Sequence, residues 1–539
     1  MRRPARFFAW LTLAAVASIH AQTPAPRAPR LEARSQASSE TRAARAYQAA
    51  VQAGALALRG FLAEFPKGAD LHVHLSGAVY AETFIRDAGQ EHLCIDPVAL
   101  KFALTKDQKP MKEPCGKDFI AASELSGNLT QADQDLYDRL IDQISMRSFV
   151  PKPGFSGHDQ FFATFGRFPW LDSTMHNGEW VDEIAGRAAS QNQQYLELME
   201  TPPHGNANQI ADKLGWNPDL PALQKDLVNA GLFSEVAADR DDVRSAEAQR
   251  RLIEHCETPQ AAPACQVEVR YLYQILRAAS PQRVFAQTLL GFETIRQTME
   301  AHEHGFVGIN FVQPEDGLVS MRDYTLQMKM LDYLHSIDRY KCVHISLHAG
   351  ELVLGLVPPE GLRFHIRQAV ELGHAERIGH GVDVMYEDNA PGLLKELAQK
   401  HVMIEINLSS NQGILGVKGA DHPFPLYRAA HVPVALSTDD EGVSRIDLTH
   451  EYVRAALDYH LTYQDLKQLA RTGMEHNFLP GESLWAAEDV FTNAAAPCKN
   501  QAPGQENPTP ACKAFLDSSE KAAAQWELER RFRAFEENW

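Results

Sequence analysis

Asp70-Leu71-His72-Val73-His74-Leu75 reads as a short β-strand carrying two imidazoles two positions apart, and therefore on one face. Seven further apolar-rich runs follow it, at 195–199, 267–276, 306–312, 343–348, 377–380, 402–408 and 432–437. Each leads into polar or glycine residues and then a helical stretch. Eight strands alternating with helices predict a parallel α/β fold, and the count fits a (β/α)8 TIM barrel. Such a barrel needs roughly 250 residues, so the stretch 66–493 that holds these strands must also hold helical insertions. The largest fall between the first and third strands and include the charged helical stretch 207–256.

Outside this stretch the chain adds helices at both ends. A helical pattern runs from Ser38 to Phe65, with Tyr47, Val51, Leu58 and Leu62 near one stripe, and Pro66-Lys67-Gly68 stops it. After residue 493 a Pro-rich loop closed by Cys512 precedes a last amphipathic helix bearing Leu528, Phe532, Phe535 and Trp539. These helices either pack on the barrel or help form a homodimer, since both uses need the same apolar face.

The first residues read differently. Arg2, Arg3 and Arg6 precede an apolar stretch at 7–19, too short for the roughly 20 residues that span a bilayer. Small residues follow, with cleavage expected after Ala17 or Ala21. Residues 1–21 are thus expected to be a signal peptide and 22–37 a flexible leader, with the mature protein exported, periplasmic or secreted. No later segment reads as transmembrane.

The whole chain has 539 residues, 52 Lys+Arg and 70 Asp+Glu, for a formal charge of −18. That balance argues against nucleic acid or an anionic membrane as partner. Hydrophobic residues at 44% and charged residues at 23% mark a globular chain. Export permits disulfides. Three sequence-local pairs are expected, Cys94–Cys115, Cys256–Cys265 and Cys498–Cys512, out of 15 pairings that six cysteines allow. Cys342, inside an apolar-rich run, is expected to be a buried strand thiol.

Candidate chemistry gathers at strand ends, where barrel enzymes place their reactive groups. His72 and His74 point to one face and could share a metal. His348 ends the fifth strand in Ser346-Leu347-His348-Ala349-Gly350-Glu351, with Glu351 in the loop. His380 ends the sixth between Gly379 and Gly381, which let backbone and substrate approach closely. Asp439 and Asp440 follow the eighth, a pair that is costly unless cations or donors hold it. Three His and one Asp suit zinc, which leaves a site for water in catalytic centres. The fourth run, Gly308-Ile309-Asn310-Phe311-Val312, has no lysine, so a carboxylated lysine bridging two metals is not available there and one mononuclear site is expected. HExxH, P-C-x-x-C, GxSxG and P-loop patterns are absent.

Taken together, His72–Gly77 (HVHLSG), His348–Glu351 (HAGE), Arg377–Gly381 (RIGHG), Asn407–Asn411 (NLSSN) and Ser437–Asp440 (STDD) resemble the adenosine deaminase family of the metal-dependent amidohydrolase superfamily, in the family's order. Export, the extra N-terminal helices and the stretches Ser145–Phe149 and Phe161-Phe162 resemble its secreted, growth-factor-type branch. The resemblance implies hydrolytic deamination of adenosine or 2′-deoxyadenosine to inosine or 2′-deoxyinosine and ammonia. The alternatives are another aminopurine, another mononuclear amidohydrolase reaction, or a non-enzymatic secreted binding protein. It implies one zinc per chain on His72, His74, His348 and Asp439, an activated water oriented by His380, protonation of ring N1 by Glu351 and a hydrogen bond from N7 to Asp440. It also implies a small-molecule purine nucleoside as partner. Gly350 of the HAGE motif is taken as a further substrate contact. Two positions depart from the family pattern. Gln313 stands at or near a glycine whose backbone faces purine N3, and Ser76 stands where many relatives have an Asp on the ribose hydroxyl.

Overall fold

The eight runs fold as eight strands: β1 (Gly68–His74), β2 (Gln193–Glu200), β3 (Glu268–Leu276), β4 (Phe306–Val312), β5 (His344–Ala349), β6 (Arg377–His380), β7 (Met403–Ile406) and β8 (Val434–Leu436). The structure is a computed structural model and describes residues 38–125, 127, 129–168 and 173–539. The expected signal peptide and leader lie outside the described residues. Neighbours in sequence are neighbours in the sheet, and every pairing is parallel. The sheet closes just past β8. Asp439 bridges to Val73, its N–H donating to the His72 carbonyl at 2.9 Å while the His74 N–H donates to the Asp439 carbonyl at 3.3 Å. The result is a (β/α)8 TIM barrel whose seam already sets Asp439 beside His72 and His74.

Strands β2, β4 and β7 are buried along their whole length, as expected when helices cover one face and the barrel interior the other. Inside the barrel, the buried Arg377 guanidinium pairs with Glu197 at 2.6 Å and Glu405 at 2.7 Å and lies 3.8 Å over the Phe478 ring. Two carboxylates and an aromatic face thus compensate a charge that would otherwise be costly to bury.

The N-terminal helical stretch differs from expectation by one break. It forms two helices, Ser39–Ala53 and Ala55–Glu64, because Gly54 takes φ 103°, a left-handed value that ends the first. The last helix, Glu520–Glu537, buries Leu528, Phe532 and Phe535. Phe535 lies 5.2 Å from Phe61, and Phe532 lies 5.5 Å from Phe65. The two terminal segments therefore use their apolar faces on each other and on helix Tyr463–Glu475. The stretch 207–256 contributes helices Gly205–Leu214, Leu220–Asn229 and Val236–Ile253. They are tied to β3 through Asp239, which accepts the Tyr273 hydroxyl at 2.8 Å.

All three expected disulfides form, with Cα–Cα distances of 5.5, 5.6 and 4.5 Å. Cys342 corrects its expectation: it is exposed. Strand β5 starts two residues later, and the preceding turn buries Tyr340 and Val343 instead. Among the described residues no helix is long and apolar enough to cross a membrane.

Candidate active site

The strand ends converge as the topology requires. Ligand atoms of His72, His348, His380 and Asp439 all lie within 4.8 Å of one another, and His74 groups in the same way with Asp439 and Asp440. His74 Nε2 stands 3.2 Å from His348 Nε2 and 3.3 Å from Asp439 Oδ1, and His72 Nε2 stands 3.7 Å from the same oxygen. A tetrahedron with bonds of about 2.0–2.1 Å has edges of about 3.3–3.4 Å; the distances from His74 to His348 and Asp439 match it, and the one from His72 to Asp439 is longer. The donor chemistry fits as well, since His72 Nε2 is buried without a protein partner.

Each of these imidazoles is braced from behind. His72 Nδ1 meets Glu405 Oε2 at 2.6 Å, and His348 Nδ1 meets Asn310 Oδ1 at 2.7 Å. Both oxygens are acceptors, so each ring carries its proton at Nδ1 and turns the Nε2 lone pair toward the site, the tautomer a metal requires. His74 differs: its Nδ1 faces the Gln274 side-chain nitrogen at 2.5 Å while the Gln274 oxygen accepts from the Thr201 hydroxyl, so holding a metal at Nε2 there would require the amide to turn over. Sequence reading missed Glu405 and Gln274 and gave Asn310 no role. A signal was present: each is a lone polar residue in an apolar run of a sheet buried on both faces, where a polar group needs a dedicated partner.

Three non-glycine site residues hold left-handed backbones, Gln313 at φ 85°, His380 at φ 70° and Asp439 at φ 62°. Non-glycine residues pay for such angles, and they persist where surrounding structure over-determines them, commonly at functional sites. Gly379 has a different use from the one expected. A Cβ there would come within 2.5 Å of the His72 ring, so the space beside it is filled by a histidine rather than by substrate.

Beside the cluster lies a cavity of about 310 Å³. Its lining includes Glu351, Asp440, Ser76 and Gln313 from the sequence-derived set, together with Thr201, Gln274 and Phe161, Phe162 and Phe165. Phe161 and Phe162 belong to helix Gly157–Thr164, which a Ser156/Asp159 capping box starts and Phe165 ends. A hydrogen bond of 3.0 Å between His158 Nε2 and Asp316 Oδ1 ties that helix to the loop after β4. Gln313, at φ 85°, spends its side-chain oxygen on the Ala278 N–H at 2.8 Å. Gly350 is the exception to the expected set. Its N–H donates to Glu315 Oε1 at 3.0 Å and its carbonyl accepts from Val382 at 2.8 Å, so both backbone groups face the protein and not the cavity.

The carboxyls divide into two protonation classes. Burial, then the negative charges of Asp439, Glu315 and Asp316, holds the Glu351 carboxyl well above the usual carboxylate range. Burial, followed by the Asp439 charge, does the same to Asp440. Asp439 goes the other way: burial opposes its ionisation, but the hydrogen bond from His74 and the neighbouring imidazoles of His380 and His72 bring it well below. One ionised ligand thus stands beside two carboxylic acids able to donate.

Residues 236–489 match the family model described as adenosine deaminase. That segment contains His348, Glu351, His380, Asp439 and Asp440, while His72 and His74 lie before it. The chain is 32% identical over 156 residues to an adenosine deaminase of Clostridium perfringens (strain 13 / Type A), covering 29% of this chain and 44% of that protein. The match therefore spans less than half of the relative's length. Among solved structures, an adenine deaminase from Arthrobacter aurescens aligns at TM-score 0.47 and 16% identity, over 77% of this chain and 94% of that one. An amidohydrolase from Burkhoderia ambifaria with bound Zn aligns at TM-score 0.47 and 16% identity, over 78% and 88%.

Proposed function

We propose, from the match of residues 236–489 to the adenosine deaminase family model, that the chain is a member of that family and hydrolyses the exocyclic amino group of adenosine or 2′-deoxyadenosine, releasing ammonia. The observation that carries the reading is a cavity of about 310 Å³ beside the His/Asp cluster, with Glu351, a carboxyl that burial holds well above the usual range, in its lining.

His72, His74, His348 and Asp439 would hold zinc. Bound there, zinc would supply a water activated for attack at neutral pH. Glu351 would give its proton to ring N1, making C6 electrophilic, and its raised pKa keeps that proton available. Asp440, also protonated, would donate to N7, which as an acceptor requires a donor. A Cβ at Gly77 would overlap the Asp440 carboxyl group, so glycine at this position makes the room for it. His380 stands with Nε2 3.8 Å from Asp439 Oδ2, placed to steady charge that develops at the attacking oxygen. Phe161, Phe162 and Phe165 would cover an apolar ring and exclude water from it.

The lining favours an uncharged nucleoside over a nucleotide. Among the described residues it contains three carboxyl groups, Glu351, Asp439 and Asp440, and no Lys or Arg. A 5′-phosphate would find no cationic side chain there and would raise the local negative charge. Ser76, Thr201 and Gln274 offer hydroxyl and amide groups that suit sugar hydroxyls.

A panel of adenosine, 2′-deoxyadenosine, adenine and AMP, followed by ultraviolet absorbance and ammonia release, tests the reading. Both nucleosides should turn over, with AMP lower in kcat/KM by at least about tenfold. Preference for adenine would replace the nucleoside reading with another aminopurine deaminase. No turnover of any of the four by zinc-loaded protein would defeat it.

A further inference from the structure

Behind His380 runs a chain of buried hydrogen bonds whose direction is fixed at its far end. The backbone N–H of Phe424, which can only donate, lies 3.1 Å from His422 Nδ1. His422 Nδ1 therefore accepts, and in the neutral ring the proton sits on Nε2. That nitrogen is 3.0 Å from Asn411 Oδ1, so the Asn411 amide must present its oxygen to His422. Its NH2 group is left facing His380 Nδ1 at 2.9 Å. The Asn407 amide nitrogen stands 3.4 Å from the same atom. His422, Asn411, Asn407 and His380 are all buried, away from bulk water. Burial also brings His422 down to about 3, in keeping with a neutral ring there.

Building on the proposed deamination, we propose that Phe424, His422 and Asn411 form a relay that fixes the ring proton of His380 on Nε2, making His380 a hydrogen-bond donor toward the reacting oxygen. His380 Nε2 is buried without a protein partner, which is the environment of a donor whose acceptor arrives with the reaction. The arrangement is the inverse of the one behind His72 and His348. Their Nδ1 atoms face acceptor oxygens, which frees the Nε2 lone pairs for a metal. Within hydrogen-bond distance His380 Nδ1 faces the two amide donors, with Glu351 Oε1 standing farther off at 3.7 Å. That places a hydrogen where those rings place a lone pair. A ring in this state cannot take a proton at Nε2 from the attacking water. It can only donate to the oxygen and stabilise its developing charge. His380 is then catalytic, and Asn411 and His422 are positioning residues acting through it.

Neutron diffraction on the deuterium-exchanged, metal-loaded protein reads the relay directly and without substrate. Deuterons should appear on His422 Nε2 and His380 Nε2, with both Nδ1 atoms bare. A deuteron on His380 Nδ1 would overturn the proposal. Because this reading does not depend on turnover, an enzyme inactive on every aminopurine would fail the proposed function and leave the relay still tested. Kinetics supply the second arm. His422→Leu removes the donor that orients Asn411 and should lower kcat about tenfold or more, part of the ~10²–10³ that a lost oxyanion donor costs, with KM within about twofold. His422→Gln restores a donor amide and should recover kcat to within about threefold of the parent. Equal losses in the Leu and Gln variants, or a Leu variant with parental kcat, would refute the relay.

Discussion

At the scale of single residues the account depends on which carboxyl keeps its proton. Glu351 is largely buried near three other acids, and replacing its carboxyl by an amide removes the transferable proton while conserving shape. Glu351→Gln should bind zinc in the same stoichiometry and lose about 10²–10⁴ in kcat, the span of general acid catalysis. Metal analysis and ammonia release on the same sample check this, and a fully active variant would remove Glu351 from the mechanism. Residues of this kind were legible from the chain alone. His72, His74, His348, Glu351, His380, Asp439 and Asp440 declare themselves because reactive side chains recur at the ends of apolar runs. The residues bracing them did not. Glu405, Gln274 and His422 sit far away in sequence from what they touch, and only barrel closure brings them into contact. Gly350 misled for a related reason: its place in a motif does not tell which way its N–H points.

At the scale of elements, Lys67 shows how a stop signal becomes a joint. Pro66-Lys67-Gly68 reads as the end of a helix, and so it is, but the buried Lys67 ammonium does more. It donates to the carbonyls of Leu62 at 2.6 Å and Phe65 at 3.0 Å, at the end of helix Ala55–Glu64, and to Gln191 at 2.6 Å, just past helix Ser173–Ser190. A cation at two helix C-termini meets both dipoles and satisfies carbonyls that have no intrahelical partner. Lys67→Met keeps the length and leaves those acceptors bare, so it should cost about 3 kcal/mol in urea unfolding. A loss below about 0.5 kcal/mol, the size of an ordinary surface change, would contradict this role. Element boundaries were otherwise readable to within a residue or two. Gly54 and Cys342 were the exceptions, the first because a glycine in a helical pattern breaks it only if φ turns positive, the second because a run of apolar residues does not say where its strand begins.

At the scale of the whole molecule, buried acids outside the metal cluster set a pH dependence. Burial first, in every case, pushes Glu200 up to about 8 and Asp239, Glu254, Glu387 and Glu451 up to about 7. In the unfolded chain these groups ionise near pH ~4. Between the two values the folded state holds more protons, so their stabilisation is complete at low pH and is lost as pH rises through the folded values. Lys67, brought down to about 7, works in the opposite sense, but as one group against five. His204, His422 and His380, brought down to about 4, 3 and 4, favour folding as pH rises, an effect complete once unfolded histidines are neutral, above about pH 6.5. The melting temperature of chelator-treated protein, in which metal affinity plays no part, should therefore fall between about pH 6.5 and about pH 8. A melting temperature that rises across that interval would show the buried acids to be outweighed.

The barrel, its seam at Asp439 and the cluster it assembles support one central proposal: that a single metal held at the strand ends would drive hydrolytic loss of ammonia from an aminopurine nucleoside. The most direct measurement is a titration of chelator-treated protein with zinc while ammonia release from adenosine is recorded. The account predicts no ammonia without metal and a rate that rises linearly to saturate at one zinc per chain. Ammonia release indifferent to chelation, or none at any zinc content, would contradict it.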